Sequence, residues 1–353
     1  MFFVVIQAIL FGTRRTYFLY IRRVITQKAG RKMKKLYSLL LVALLTVGVL
    51  AGCAETKDQV KEENKSSVEK KTAEITYPLT LTDATETKVI IEKKPEKIVS
   101  LIPSNTEIAF ALGLEKEVVG VSDFDNYPEA ATKKEKIGGQ EINLEKIISL
   151  MPDLVLAHAS SAHNSEAGLQ QLKDAGITVL VVNDAQNFDQ VYDSIDMIGK
   201  AAGESEKADE IIAGMKDKLA EIKTKAGEIK EKKKVLVEVS PAPEIYTPGK
   251  NTFMDQMLSV INAENIANDQ EGWIKIDQEA MIKRNPDVIV TTYGYYVKNP
   301  TEQVLSRKGW ETVNAVKNKH VVDVDSDRVT RSGPRIVEGV EDLAKAIYPE
   351  VFK

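Results

Sequence analysis

Cysteine is almost absent from this chain: Cys53 is the single one in 353 residues. No intramolecular disulfide can form, so an exported protein of this size has to rest on its core. Histidine is nearly as scarce. His158, His163 and His320 stand at unrelated spacings with no carboxylate cluster around them, which argues against a bare zinc or manganese site. A glycine-rich phosphate loop, a nucleophile elbow and an HExxH pair are also missing. These absences argue against an enzyme and against a resident metal or phosphate cofactor.

Acid is missing from one end. Residues 1–52 hold nine Lys or Arg and no Asp or Glu, while the rest has 39 basic against 52 acidic residues, a net of −13. Phosphate neutralisation needs a basic face. The later lysine-rich stretches, such as residues 228–234, have glutamates interleaved, so nucleic acid is excluded as a partner.

What is present begins with an address. From Met33 the chain reads MKKLYSLLLVALLTVGVLAGC: two lysines, an apolar run from Leu36 to Leu50, and small residues before Cys53. That order is a signal peptide, and the run has leader length rather than membrane-spanning length. Leu50-Ala51-Gly52-Cys53 resembles the bacterial lipobox, which implies a diacylglycerol on the thiol and Cys53 as the first mature residue. Residues 1–32 precede an already complete leader, which makes Met33 the expected start. From Cys53 to Ala73 the chain is rich in Lys, Glu and Ser and too polar for a core, so it reads as a flexible tether. The expected location is the extracytoplasmic face of the cell membrane.

Beyond the tether, short Val/Leu/Ile runs alternate with helical patterns. KIVSL (97–101), EVVGV (117–121), DLVLA (153–157) and TVLVV (178–182) have strand length, and residues 105–112 and 165–175 have helical spacing. From about Phe188 to Lys232 apolar residues recur three or four apart with no strand signal, and alternation resumes at KVLVEV (234–239), DVIVTT (287–292) and HVVDV (320–324). The fold class is therefore α/β: two similar lobes with mainly parallel sheets, joined by one long helix, with the ligand cleft between them. The expected boundaries are 74–187 for the first lobe, 188–233 for the connecting segment and 234–353 for the second lobe.

A repeat supports the two-lobe reading. INLEKIISLMPDLVLA (142–157) and IDQEAMIKRNPDVIVTT (276–292) each open a helix with a glutamate, Glu145 or Glu279, and place a Pro-Asp pair seven residues later before an apolar strand. In open α/β sheets ligands sit outside the carboxyl ends of the strands. The candidates there are Phe124 and Tyr127, His158, Tyr246, Trp273, the tyrosines of 293–296, and Asp327 with Arg331. Aromatic surface with a few polar groups suits a flat amphipathic macrocycle or a catecholate. The second reading of each aromatic is core packing, for which Trp273, flanked by Glu271 and Gly272 on one side and Lys275 on the other, is a poor candidate. His158 reads alternatively as a hydrogen-bonded polar residue rather than a ligand to cobalt or iron, and Arg331 as an ion pair with Asp327. Arg335 reads as structural.

The segments IVSLIPSNTEIAFALGL (98–114), the two Glu…Pro-Asp units, IYTPGKNTFMDQML (245–258) and RSGPRIVEGVEDLA (331–344) together resemble the helical-backbone class of ABC-importer binding proteins, the ferric-siderophore, haem and cobalamin receptors. The resemblance implies a monomer that captures a bulky metal chelate and hands it to a permease and its ATPase. It implies that Glu145 and Glu279 meet permease arginines, one from each lobe. It also places Phe124, Tyr246, Trp273, Asp327 and Arg331 at positions similar to corrin contacts in the cobalamin branch. Trp273 lies six residues before Glu279, as in that branch, but Gly139 stands six before Glu145, where the branch has another Trp. A ferric siderophore and haem are the alternative cargoes. A metal-cluster enzyme on the same fold is the distant one, disfavoured because the single cysteine belongs to the lipid.

Overall fold

The computed structural model describes residues 75–353. The expected leader, the Met33 start, Cys53 and the tether to residue 73 lie outside the described residues. In chain order the first lobe contains β1 (Leu79–Thr82), β2 (Lys88–Ile91), β3 (Ile98–Ser100), α1 (Pro103–Ala111), β4 (Val118–Val121), α2 (Glu129–Thr132), β5 (Glu135–Lys136), α3 (Leu144–Leu150), β6 (Leu154–His158), α4 (Ala159–Ala162), α5 (Glu166–Asp174) and β7 (Thr178–Val182). Two helices follow, α6 (Phe188–Ala202) and α7 (Ser205–Ala226). The second lobe has β8 (Lys234–Glu238), β9 (Tyr246–Pro248), α8 (Phe253–Val260), β10 (Glu264–Asn265), β11 (Trp273–Lys275), α9 (Gln278–Arg284) and β12 (Val288–Thr291), then α10 (Pro300–Leu305), α11 (Asn314–Lys317), β13 (Val321–Asp323), α12 (Ser326–Thr330) and α13 (Ile336–Ile347).

Each lobe is built on a parallel sheet, in the order β5-β4-β3-β6-β7 in the first and β10-β8-β12-β13 in the second. The strands are apolar along their whole length because helices cover both faces, and successive side chains divide between two cores. Leu154, Leu156, Leu180 and Val182 join a core that continues through α6 and α7 to Val235, Val237, Val288 and Val290 of the second sheet. Val155, Ala157, Val179 and Val181 face the other way, into a local core of the first lobe. Leu236 and Ile289 do the same in the second, around the fully buried Trp310. One apolar body thus underlies both lobes. The β1–β2 hairpin screens the exposed edge of the first sheet, with the Ala84 amide donating to the Val181 carbonyl at 2.9 Å.

The connecting stretch differs from the single continuous helix expected over 188–233. Gly203, at φ +74°, ends α6 in the left-handed conformation, and α7 starts two residues later. Glycine adopts that conformation without a Cβ penalty, which is why the apolar period carries on while the helix does not. α6 packs on the first lobe and on α7 and meets α8 of the second lobe through Phe188, whose amide donates to Gln256 Oε1 at 3.1 Å, while the 22-residue α7 reaches α8 and α13, so both helices join the lobes. Lys218 of α7 pairs with Glu341 of α13 at 2.8 Å.

The repeat has the same physical plan in both lobes. Asn143 caps α3 by accepting from the Lys146 amide, and Asp277 caps α9 by accepting from the Glu279 amide. Both helices end in a left-handed residue, Met151 or Asn285, each at φ 50°. The aspartate of the Pro-Asp pair then latches the neighbouring strand. Asp153 Oδ2 accepts from the Glu96 and Lys97 amides at 3.0 Å, and Asp287 Oδ2 accepts from the Lys234 amide at 3.0 Å.

Candidate functional site

The segments leaving the carboxyl ends of the strands carry the exposed aromatics. Phe124, 56% exposed, follows β4 on a braced loop. The Ser122 hydroxyl donates to Asp125 Oδ2 at 2.6 Å, and Lys136 Nζ donates to the carbonyls of Ser122 and Asp125 at 3.0 Å. The Phe124 ring leans over Gly139, where an added Cβ would stand 3.1 Å from Cζ. Gly139, six residues before Glu145, thus has the Phe124 ring lying against it.

In the second lobe β9 and β11 form an antiparallel ribbon that pairs Trp273 with Pro248 and Lys275 with Tyr246. Directly paired residues share a face. Thr247 is buried on the inner side, while Trp273 (51%) and Tyr246 (40%) present the outer face to solvent. Trp273 is therefore not a core residue. Tyr295 and Tyr296, which follow β12, are also exposed, their rings 4.7 Å apart. Beneath them lies a buried polar support: the Tyr293 hydroxyl donates to Glu238, and Arg307 binds Glu238 with two parallel bonds of 2.7 and 2.9 Å. Burial and the Glu238 carboxylate push the Tyr293 phenol well above its ordinary range.

His158 is placed differently. It ends β6 only 4% exposed, and its Nδ1 faces the Ser160 hydroxyl at 2.8 Å and amide at 3.3 Å. Burial lowers its pKa, against opposing contributions from Asp184 and Asn183, so the ring is a neutral capping group under the surface. The structure does not bring it together with the exposed aromatics.

Arg331 and Asp327 belong to a clamp between the lobes. Glu107 of α1, 4% exposed, faces Arg331 at 2.8 Å and Arg335, whose Nε lies 3.1 Å from Oε2. Arg331 also pairs with Asp327 at 2.9 Å, and Asp327 accepts from Asn126 of the first lobe at 2.6 Å. The Arg335 guanidinium stacks 3.5 Å above the Tyr127 ring. The expected pair of Asp327 with Arg331 is there, but Arg331 is largely taken up by Glu107 and is not a free cation. Sequence reasoning missed Glu107 and Asn126. A glutamate immediately before the apolar run IAFALGL (108–114) was the available signal, since a buried acid needs a partner.

Glu145 and Glu279 are exposed, each near the start of its helix, and among the described residues neither carboxylate has an ion pair or hydrogen-bond partner. Among the described residues no group of three or more His, Cys, Asp or Glu could hold a metal ion, and no helix is long and apolar enough to cross a membrane.

Comparison with known proteins places these features. A family model for periplasmic binding proteins matches residues 98–328. An ABC transporter substrate-binding lipoprotein of Bacillus subtilis (strain 168) is 53% identical over 323 residues, 91% of this chain and 100% of the relative. A vitamin B12-binding protein of Salmonella paratyphi A is 31% identical, covering 71% of this chain and 90% of the relative. Among solved structures, a possible iron-binding, periplasmic solute-binding protein of Staphylococcus epidermidis is 40% identical with a TM-score of 0.67, over 72% of this chain and 100% of that one.

Proposed function

The chain belongs to the periplasmic binding protein family and is the substrate-binding protein of an ABC transporter, and from that footing we propose that it captures a cobalamin or related corrinoid outside the membrane and delivers it to the permease. The observation that carries this reading is the set of exposed aromatic side chains on segments that leave the strands of both lobes, Phe124, Tyr246, Trp273, Tyr295 and Tyr296, together with arginines that are already engaged. Arg331 and Arg335 hold Glu107, Arg307 holds Glu238, and Lys275 holds Glu244 at 2.5 Å. An anionic ferric chelate needs free cations, whereas a large, nearly neutral macrocycle is held by aromatic faces and peripheral hydrogen bonds. The chain does no chemistry on its cargo and needs no cofactor; the metal is the ligand's own.

An iron complex, as a ferric siderophore or haem, is the second reading, favoured by the 40% identity to a possible iron-binding protein. A titration separates the two. The chain has two tryptophans, and Trp310 is fully buried, so quenching of fluorescence reports on Trp273. Saturable quenching by cyanocobalamin, with hemin and ferric siderophores inert, supports the corrinoid. Tight binding of hemin or a siderophore, with cyanocobalamin inert, replaces it.

The same proposal assigns Cys53 as the lipid attachment site, holding the chain on the extracytoplasmic face as a monomer. It assigns Glu145 and Glu279 as the docking carboxylates. Two unpaired charges at equivalent places on two lobes fix orientation as well as proximity when they meet complementary cations.

A further inference from the structure

The two repeat helices are alike in their caps and latches but not on their outer faces. On α9 the residue three after Glu279 is Ile282, packed against the core of its lobe, and the residue six after is Asn285. Asn285 suits a left-handed cap, and its Oδ1 accepts from the Asn314 amide at 2.8 Å. On α3 the equivalent positions are Ile148, 41% exposed, and Met151, 70% exposed at φ 50°. Methionine is a poor residue for that backbone conformation, which asparagine or glycine adopts at less cost. A side chain so exposed gains almost nothing from the fold in return. Scattered apolar residues on a surface are ordinary. Two adjoining ones beside an unpaired carboxylate, one of them in a conformation it disfavours, are not accounted for by packing.

We propose that Ile148 and Met151 form, with Glu145, a mixed apolar and acidic docking patch for the permease, making the first-lobe contact chemically distinct from the one around Glu279, where the equivalent residues are the core-packed Ile282 and the polar Asn285. The proposal rests on the docking role of Glu145. Its occupant is an extracytoplasmic permease segment that presents a basic group to Glu145 and an apolar side chain to Ile148 and Met151. Charge selects that occupant over the bilayer: the chain beyond residue 52 has a net charge of −13 and the patch includes a free carboxylate, so an anionic headgroup layer is repelled. Met is suited to such a surface because its unbranched thioether adapts to an irregular partner.

The test places a photoreactive p-benzoylphenylalanine at 145, 148, 151 or 279, one at a time, in the full chain in cells that carry its transporter. Crosslinks from 145, 148 and 151 to the permease polypeptide, identified by mass spectrometry, are expected. Crosslinking from 145 and 279 but not from 148 or 151 overturns the apolar patch and leaves the docking reading intact. Failure at all four positions overturns both, and adducts from 151 to phospholipid assign the patch to the membrane instead. An independent measurement uses Met151→Asn, which installs the residue of the sister repeat. Its melting temperature is expected to be no lower than the native one, while association with the detergent-solubilised permease–ATPase complex weakens by about tenfold, the scale of losing one partly buried apolar side chain. Unchanged association overturns the proposal.

Discussion

Trp273 and His158 show how differently two candidate site residues resolve once each is placed. Trp273 is half exposed on a two-stranded ribbon whose inner face is buried, so its ring is free to stack. Trp273→Ala is expected to weaken cargo binding by about 1–3 kcal/mol, the range for a stacked aromatic and its buried area, with little change in melting temperature. Titration and a thermal melt on the same protein check this; a collapsed melt with unchanged affinity would return Trp273 to the core. His158 is buried and neutral, its folded pKa held below the ordinary value chiefly by desolvation. As pH falls below about 6.5, the unfolded chain takes up a proton that the folded chain resists, so the contribution of this residue is complete above that pH and declines below it. Denaturant melts between pH 7.5 and 5.5 are expected to show a loss of stability that His158→Asn reduces. A mutant with the same pH dependence as the native chain would refute this.

At the scale of elements, the Pro-Asp pair is a joint that sets the strand after each repeat helix in register with its neighbour. Asp153 accepts two backbone amides and an ion pair from Lys93 at 3.0 Å. Burial alone would raise its pKa, but these donors outweigh it and hold the carboxyl below its usual range. Asp153→Ala leaves the amides of Glu96 and Lys97 without their acceptor. The expected cost is about 1–3 kcal/mol, read by chemical denaturation, with Lys93→Ala much milder because that pair is exposed. Equal costs for the two variants would mean that the ion pair, not the latch, matters.

For the whole molecule, the Glu107 clamp joins the lobes alongside α7 and the shared apolar core. Glu107→Ala strands Arg331 and Arg335, both with mostly buried side chains, and is expected to destabilise the chain by about 3–5 kcal/mol. Hydrogen exchange of α1 and of residues 331–335 should accelerate together, since the clamp joins them. Acceleration in α1 alone would show that the lobes are held by other contacts. The docking role proposed for Glu145 and Glu279 belongs to the same scale. The double variant Glu145→Lys and Glu279→Lys is expected to abolish uptake while the purified chain binds cargo normally, because both residues stand on exposed helix starts outside the aromatic surface. Normal uptake removes the docking role, and lost cargo binding moves these residues into the site.

The sequence by itself determined the local and periodic features. Strands such as TVLVV (178–182) were legible because a parallel strand covered on both faces is apolar throughout, and the repeat was legible because caps, Pro-Asp pairs and glutamates recur at fixed offsets. The exposed state of Trp273 was also readable, from its polar neighbours. Tertiary structure alone decided what depends on residues far apart in the chain. Glu107 and Arg331 stand 224 positions apart, and Glu238 and Arg307 stand 69 apart. A charged or polar side chain reads the same in sequence whether it is free for a ligand or engaged by a buried partner, so only the packed chain shows Arg331 on Glu107 and His158 on Ser160. The break at Gly203 was hidden in another way: the apolar period of α6 continues into α7, and only backbone conformation separates them. Burial and pairing are properties of the packed chain, and no local pattern records them.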